Sequence, residues 1–147
     1  MRIAIGADHA GYELKQYIVE SLIAQGHQVQ DLGTHSLEQV DYPDFAAWVA
    51  RAVVAGEAER GILICGTGIG MSISANKVRG VRAALCTDCY MARMARQHND
   101  AQILCLGGRV LGPDLALDIV EVFLRTDFLG DRHAQRVDKI GALERKE

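Results

Sequence analysis

The sequence predicts an α/β fold, a five-stranded parallel sheet with helices on both faces. Three observations predict it: short β-rich runs alternate with longer helical patterns from end to end, several runs are apolar at consecutive positions, and 147 residues suit one compact core. Strands are expected at residues 2–6, 27–32, 61–65, 81–86 and 103–106, with unbroken apolar stretches such as Ile62-Leu63-Ile64-Cys65 marking central strands covered on both sides. After the first strand, Leu14, Tyr17, Ile18, Ser21 and Leu22 share one helical face, and Gly26 ends that helix. After the second, Phe45, Trp48, Val49, Ala52 and Val53 form an apolar face, with Pro43 near the helix start and Gly56 at its end. A helix follows the glycine-rich loop beyond residue 65. Another carries Met91, Met94, Ala95 and His98 on one face and stops at Asn99-Asp100. Repeated strand–helix–strand units connect by right-handed crossovers, which makes the sheet parallel.

The helix at 113–126 differs. Leu115, Leu117, Ile119, Val120, Val122, Phe123 and Leu124 wrap most of its circumference, so burial on more than one side is expected, under a partner subunit or under the C-terminal tail. From Gly130 the tail is polar, with Arg132, Arg136, Lys139, Arg145 and Lys146 basic and Val137, Ile140 and Leu143 as a thin apolar seam. It is expected as a surface helix packed on the domain or on a partner subunit. No repeat, low-complexity tract or linker interrupts residues 1–147, which are expected to form a single domain.

Composition removes several function classes. With 24% charged and 49% hydrophobic residues and a mean hydropathy of +0.03, the chain is neither disordered nor a membrane protein in composition. No apolar run reaches membrane-spanning length. Folding should bury roughly 70% of the extended-chain surface, enough for a core without disulfide or metal staples. Sixteen Lys and Arg against nineteen Asp and Glu leave a net charge of -3, the wrong sign for holding nucleic acid through bulk electrostatics. The N-terminus turns polar at Asp8 and shows no signal-peptide pattern, so a cytoplasmic protein is expected, with Cys65, Cys86, Cys89 and Cys105 as free thiols.

In an open α/β sheet, ligands bind beyond the carboxyl ends of the strands. The first strand runs into Asp8-His9-Ala10-Gly11, where Asp8 fits a helix cap as well as a ligand contact and His9 has no equally good structural excuse. The third runs into Cys65-Gly66-Thr67-Gly68-Ile69-Gly70-Met71-Ser72. Its glycines allow close backbone approach, and the helix that follows offers N–H groups to an anion. The loop lacks the Lys-Ser/Thr ending of a P-loop and an acidic residue about 20 positions on for a dinucleotide ribose. A thiol at a helix N-terminus tends to ionise near neutral pH, which makes Cys65 a candidate base or nucleophile. Cys86-Thr87-Asp88-Cys89 is formally CxxC, but no second CxxC or His pair accompanies it, so neither a metal nor a redox site is expected. His98 is a capping cation or a site residue. Arg132 and Arg136, at i and i+4, are a solvated face or a phosphate clamp.

A thiol, an N–H cradle, an acid, histidines and an arginine pair suit a small phosphorylated metabolite and removal of a proton alpha to a carbonyl. These residues resemble the ribose-5-phosphate isomerase B family, grouped with the galactose-6-phosphate isomerase subunits. The resemblance runs through Gly6-Ala7-Asp8-His9-Ala10-Gly11, Asp41-Tyr42-Pro43, residues 61–70, Ala75-Asn76-Lys77, Arg96-Gln97-His98-Asn99-Asp100, Gly107-Gly108-Arg109-Val110, Arg132-His133 and Arg136-Val137. It implies a Rossmann-like α/β/α sandwich without metal or cofactor, acting on a sugar phosphate as a homodimer or homotetramer with active sites between subunits. It also implies roles. Cys65 would move the proton between C1 and C2, Thr67 would shuttle a proton between O1 and O2, and backbone amides of Gly66, Thr67, Gly68, Ile69 and Gly70 would hold the enediolate. His98 of a neighbouring subunit would open the furanose ring, Asp8 and Asn99 would orient hydroxyls, and His9, Arg132 and Arg136, helped by Arg109, would bind phosphate. The substrate expected is ribose 5-phosphate. A six-carbon aldose phosphate, allose 6-phosphate or galactose 6-phosphate, is the alternative within the class, and a non-catalytic nucleotide-binding module is the alternative outside it.

Overall fold

The computed structural model describes residues 1–145; Lys146, read with the basic tail, lies outside the described residues. Five strands, β1 (Arg2–Ala7), β2 (Gln28–Asp31), β3 (Arg60–Cys65), β4 (Ala83–Leu85) and β5 (Ile103–Gly107), form one parallel sheet in the order β2-β1-β3-β5-β4. The helices are α1 (Tyr12–Ala24), α2 (Tyr42–Val54), α3 (Ile69–Ala75), α4 (Cys89–Asn99), α5 (Pro113–Arg125) and α6 (Arg132–Arg145). The expected Rossmann-like sandwich is therefore present. One core layer packs α1, α4 and α5 on the sheet through Leu14, Ile18, Ala92, Ile119 and Phe123, and the other packs α2 and α3 through Phe45, Val49 and Met71. The apolar runs of β1, β3 and β5 lie between these layers, whereas the edge strands β2 and β4 are only partly covered.

β4 is shorter than its apolar run suggests. Before it, Arg82 N–H donates to Gln102 Oε1 (2.7 Å), and on Ala83 the Asn76 side chain contacts both N–H (2.8 Å) and C=O (2.9 Å). That amide occupies an edge position where another strand could pair. α5 also departs from expectation. It buries Ala116, Ile119, Val120 and Phe123, and its flanks at Leu117, Val122 and Leu124 pack on the same core, between α1 and α4. The tail helix is not its cover, because α6 leans on α4 instead. Within the chain, Leu115 stays 43% exposed.

The sheet sets two working edges. Each crossover helix returns antiparallel to the strand before it, so helix starts lie at the carboxyl edge of the sheet and helix ends at the amino edge. Between β1 and β3 the connections diverge, β1 leading outward to β2 and the chain then crossing back to β3. A crevice opens there at the carboxyl edge.

Candidate active site

That crevice is a cleft of about 440 Å³ lined by the loops after β1, β3 and β5. Asp8, His9, Cys65, Gly66, Thr67, Ile69, Gly70 and Arg109 all border it. Loop packing needs glycine at Gly107, where a Cβ would come 2.7 Å from the Thr67 carbonyl oxygen. Gly108 N–H then donates to Cys65 O (2.8 Å) and Arg109 N–H to Gly66 O (3.0 Å), which hangs the β5 loop on the cradle. The Arg109 side chain lies over Gly66, its Nη1 3.6 Å from where a Cβ would stand.

Cys65 ends β3 and is 5% exposed. Gly68, left-handed at φ 83°, caps α3 and turns its N–H onto Cys65 Sγ (3.2 Å), while Ile69 N–H donates to Thr67 Oγ1 (3.2 Å). A backbone donor on sulfur suits a negatively charged thiolate. Gly68 thus stands behind the cleft wall. The cap reading of Asp8 does not hold: its Oδ1 accepts from Ala10 N–H (3.0 Å) and Gly11 N–H (3.1 Å), closing the turn before α1, whose N-cap is Gly11 with no side-chain cap bond, and the residue borders the cleft. His9 Nδ1 accepts from Val40 N–H (3.2 Å), so a neutral imidazole there carries its proton on Nε2. Tyr42 and Ile73 also line the cleft and were not expected there. Tyr42 starts α2 and its ring lies against Gly70, where a Cβ would sit 2.5 Å from Cε1. The signal available was the position of Asp41-Tyr42-Pro43 in the connection from β2, next to the crevice.

The remaining expected residues are elsewhere. His98 and Asn99 end α4, and Arg132 and Arg136 begin α6, which follows the end of α5. These ends fall at the amino edge of the sheet, so one crevice holding all the histidines and both arginines does not form within the chain. A strand of six residues spans roughly 20 Å, too far for a side chain to cross. At the amino edge the His98 ring stacks on that of His133, and α4 ends on two arginines. Arg96 donates to Asp100 Oδ1, Ala101 O and Thr126 O, and Arg82 to Asn99 O and Asp100 O.

Burial and the Asp88 carboxylate push the Cys86 thiol up to about 12, and burial raises Cys105 as well. Cys86 is therefore a protonated thiol buried in the core. Among the described residues, no group of three or more His, Cys, Asp or Glu is placed to hold a metal ion. No helix of the described residues is long and apolar enough to cross a membrane.

Comparisons with known proteins agree with this fold. Residues 3–140 match the family model described as Ribose/Galactose Isomerase. A ribose-5-phosphate isomerase B of Escherichia coli is 50% identical over 145 residues, covering 99% of this chain and 97% of that one. A D-erythrulose-4-phosphate isomerase of Pectobacterium atrosepticum is 47% identical over 148 residues, covering 100% and 97%. The solved ribose-5-phosphate isomerase B of Clostridium thermocellum superposes with a TM-score of 0.98 at 61% identity, covering 99% of each chain. Matched from β1 into α6 and sharing about half its residues with such relatives, the chain belongs to the ribose/galactose isomerase family.

Proposed function

We propose that the protein is an aldose–ketose isomerase that interconverts ribose 5-phosphate and ribulose 5-phosphate through an enediolate, residues 1–147 acting as one isomerase domain. The observation that carries this reading is the carboxyl-edge cleft, where a thiol that receives a backbone N–H lies beside a hydroxyl and a glycine-rich cradle. In the open-chain aldose, Cys65 removes the C2 proton and returns it to C1, while the Thr67 hydroxyl moves a proton between O1 and O2. With Gly68 N–H on the Cys65 sulfur and Ile69 N–H on the Thr67 hydroxyl, the backbone N–H groups of Gly66, Thr67 and Gly70 are the loop donors left for the developing negative charge, and the reaction needs no metal or cofactor. Asp8 orients sugar hydroxyls, and His9 and Arg109 meet the phosphate.

Ring opening breaks the C1–O4 bond, with a proton arriving on O4 and another leaving O1. His98 performs it, with Asn99 on the hydroxyls and Arg132 and Arg136 on the phosphate. The amino-edge position of these four supports a cleft completed by another copy of the chain, in a homodimer or homotetramer.

Assaying four-, five- and six-carbon aldose phosphates for ketose formation tests the substrate. Ribose 5-phosphate should have the highest kcat/KM. A six-carbon substrate that outperforms it, or stabilisation by ATP without any isomerisation, overturns the reading. Cys65→Ala should lose a factor of about 10² to 10⁴ in turnover; more than about a tenth of wild-type activity is too much for a missing base. Mixing Cys65→Ala and His98→Ala proteins under subunit exchange should restore roughly a quarter of wild-type activity, since half the dimers would hold one intact site of two. No recovery after verified exchange overturns the shared site.

A further inference from the structure

His98 is not a free-standing side chain. Its ring lies parallel to that of His133, with centroids 4.1 Å apart and planes 10° from each other. His133 is 5% exposed, the buried residue of a helix whose other described residues all keep contact with solvent. Hydrogen bonds beside the two rings tie the end of α4 to the segment that leads into α6. Leu129 N–H donates to Gln97 O (3.1 Å), Arg96 Nε–H donates to Thr126 O (3.1 Å), and His133 N–H donates to Gly130 O (3.0 Å). A leucine or phenylalanine would seal this joint between α4 and α6 with less desolvation cost. An imidazole there calls for a reason beyond packing.

We propose that His133 is a positioning residue for ring opening: its flat ring holds the imidazole of His98 in one plane while His98 transfers a proton to the sugar ring oxygen. The proposal rests on the assignment of ring opening to His98. Burial, then the neighbouring His98, Arg132 and Arg136, hold the pKa of His133 below the usual histidine range, with Asp131 alone opposing them. The neutral form of His133 is thereby favoured beside His98, and the stacked geometry is what holds the His98 ring. Because Arg132 and Arg136 flank His133 on the first turns of α6, one joint carries both the phosphate arms and the ring-opening group. Substrate held by its phosphate then meets an imidazole of fixed orientation.

The test separates ring opening from proton transfer at carbon. Ribulose 5-phosphate has no furanose to open, since its C5 oxygen carries the phosphate. Its uptake of solvent deuterium at C1 therefore needs Cys65 and the cradle but not His98. His133→Ala should slow isomerisation of ribose 5-phosphate by roughly 10- to 100-fold, the cost of misplacing a reacting group by about an ångström, with deuterium uptake within about twofold of wild type. His133→Phe, which keeps a flat ring, should recover most of the isomerisation. Full isomerisation by His133→Ala, or a parallel loss of exchange and isomerisation in both variants, overturns the proposal. His98→Ala is the separate control: if it isomerises ribose 5-phosphate normally, the ring-opening assignment fails, whatever the His133 variants do.

Discussion

Replacing Asp31 by asparagine should destabilise the protein far more than replacing Lys15 by methionine, although both break the same ion pair. Lys15 is fully buried, and its Nζ donates to both Asp31 oxygens (2.8 and 2.6 Å) and to Gln16 Oε1 (2.9 Å). Asp31 is 24% exposed at the end of β2, where its Oδ1 also accepts from Gly33 N–H (3.0 Å). Asp31→Asn leaves one neutral acceptor oxygen beside an NH2 donor and strands a sealed ammonium, at a cost of about 3–5 kcal/mol. Lys15→Met removes the buried charge, fills the same stem with a flexible apolar side chain, and leaves a carboxylate that water reaches. Its expected cost is about 0–1 kcal/mol. Against a total stability of roughly 5–15 kcal/mol, a gap of at least about 2 kcal/mol is readily measured by urea unfolding at pH 7 with unchanged m-values. A Lys15→Met protein as unstable as Asp31→Asn would refute this account of the pair.

Gly68→Ala should cost about 1–2 kcal/mol for the left-handed backbone alone. Its Cβ would also come within 2.6 Å of Leu85 Cδ1 and 2.9 Å of the Leu106 carbonyl carbon, so the cradle must move and turnover should fall with stability. Gly141→Ala, inside α6 with nothing nearer than 3.6 Å, should instead stabilise by about 0.5–1 kcal/mol in the same thermal melt; the opposite order defeats both statements. Exhaustive EDTA treatment should leave isomerisation intact, and a loss reversed by zinc or magnesium would remove the all-donor mechanism. The lowered pKa of His133 favours the neutral form in the folded state. Its contribution to stability is thus complete above about pH 6.5 and is lost as pH falls through the lowered native value, and His133→Phe should flatten that slope in chemical denaturation across the range.

The sequence by itself determined the alternation of strands and helices, the parallel sheet, and the thiol before a glycine cradle. These are local matters. Apolar periodicity reports which face of an element is buried, and Gly26 and Gly56, both at positive φ, stand where α1 and α2 stop. That Asp8, His9, Cys65, Thr67 and Arg109 border one cleft was legible because they follow strands directly, and every parallel strand delivers its end to the same edge. Only the tertiary structure decided which helix covers α5, that Tyr42 closes the cleft against Gly70, and that His133 lies beneath His98. Each is a meeting of segments far apart in the chain, which no local pattern encodes. The separation of the remaining candidate residues from the cleft follows from the same cause. His98, Asn99, Arg132 and Arg136 have the right chemistry for the crevice, but α4 and α5 run back along the sheet and set them at the opposite edge, a strand's length from Cys65.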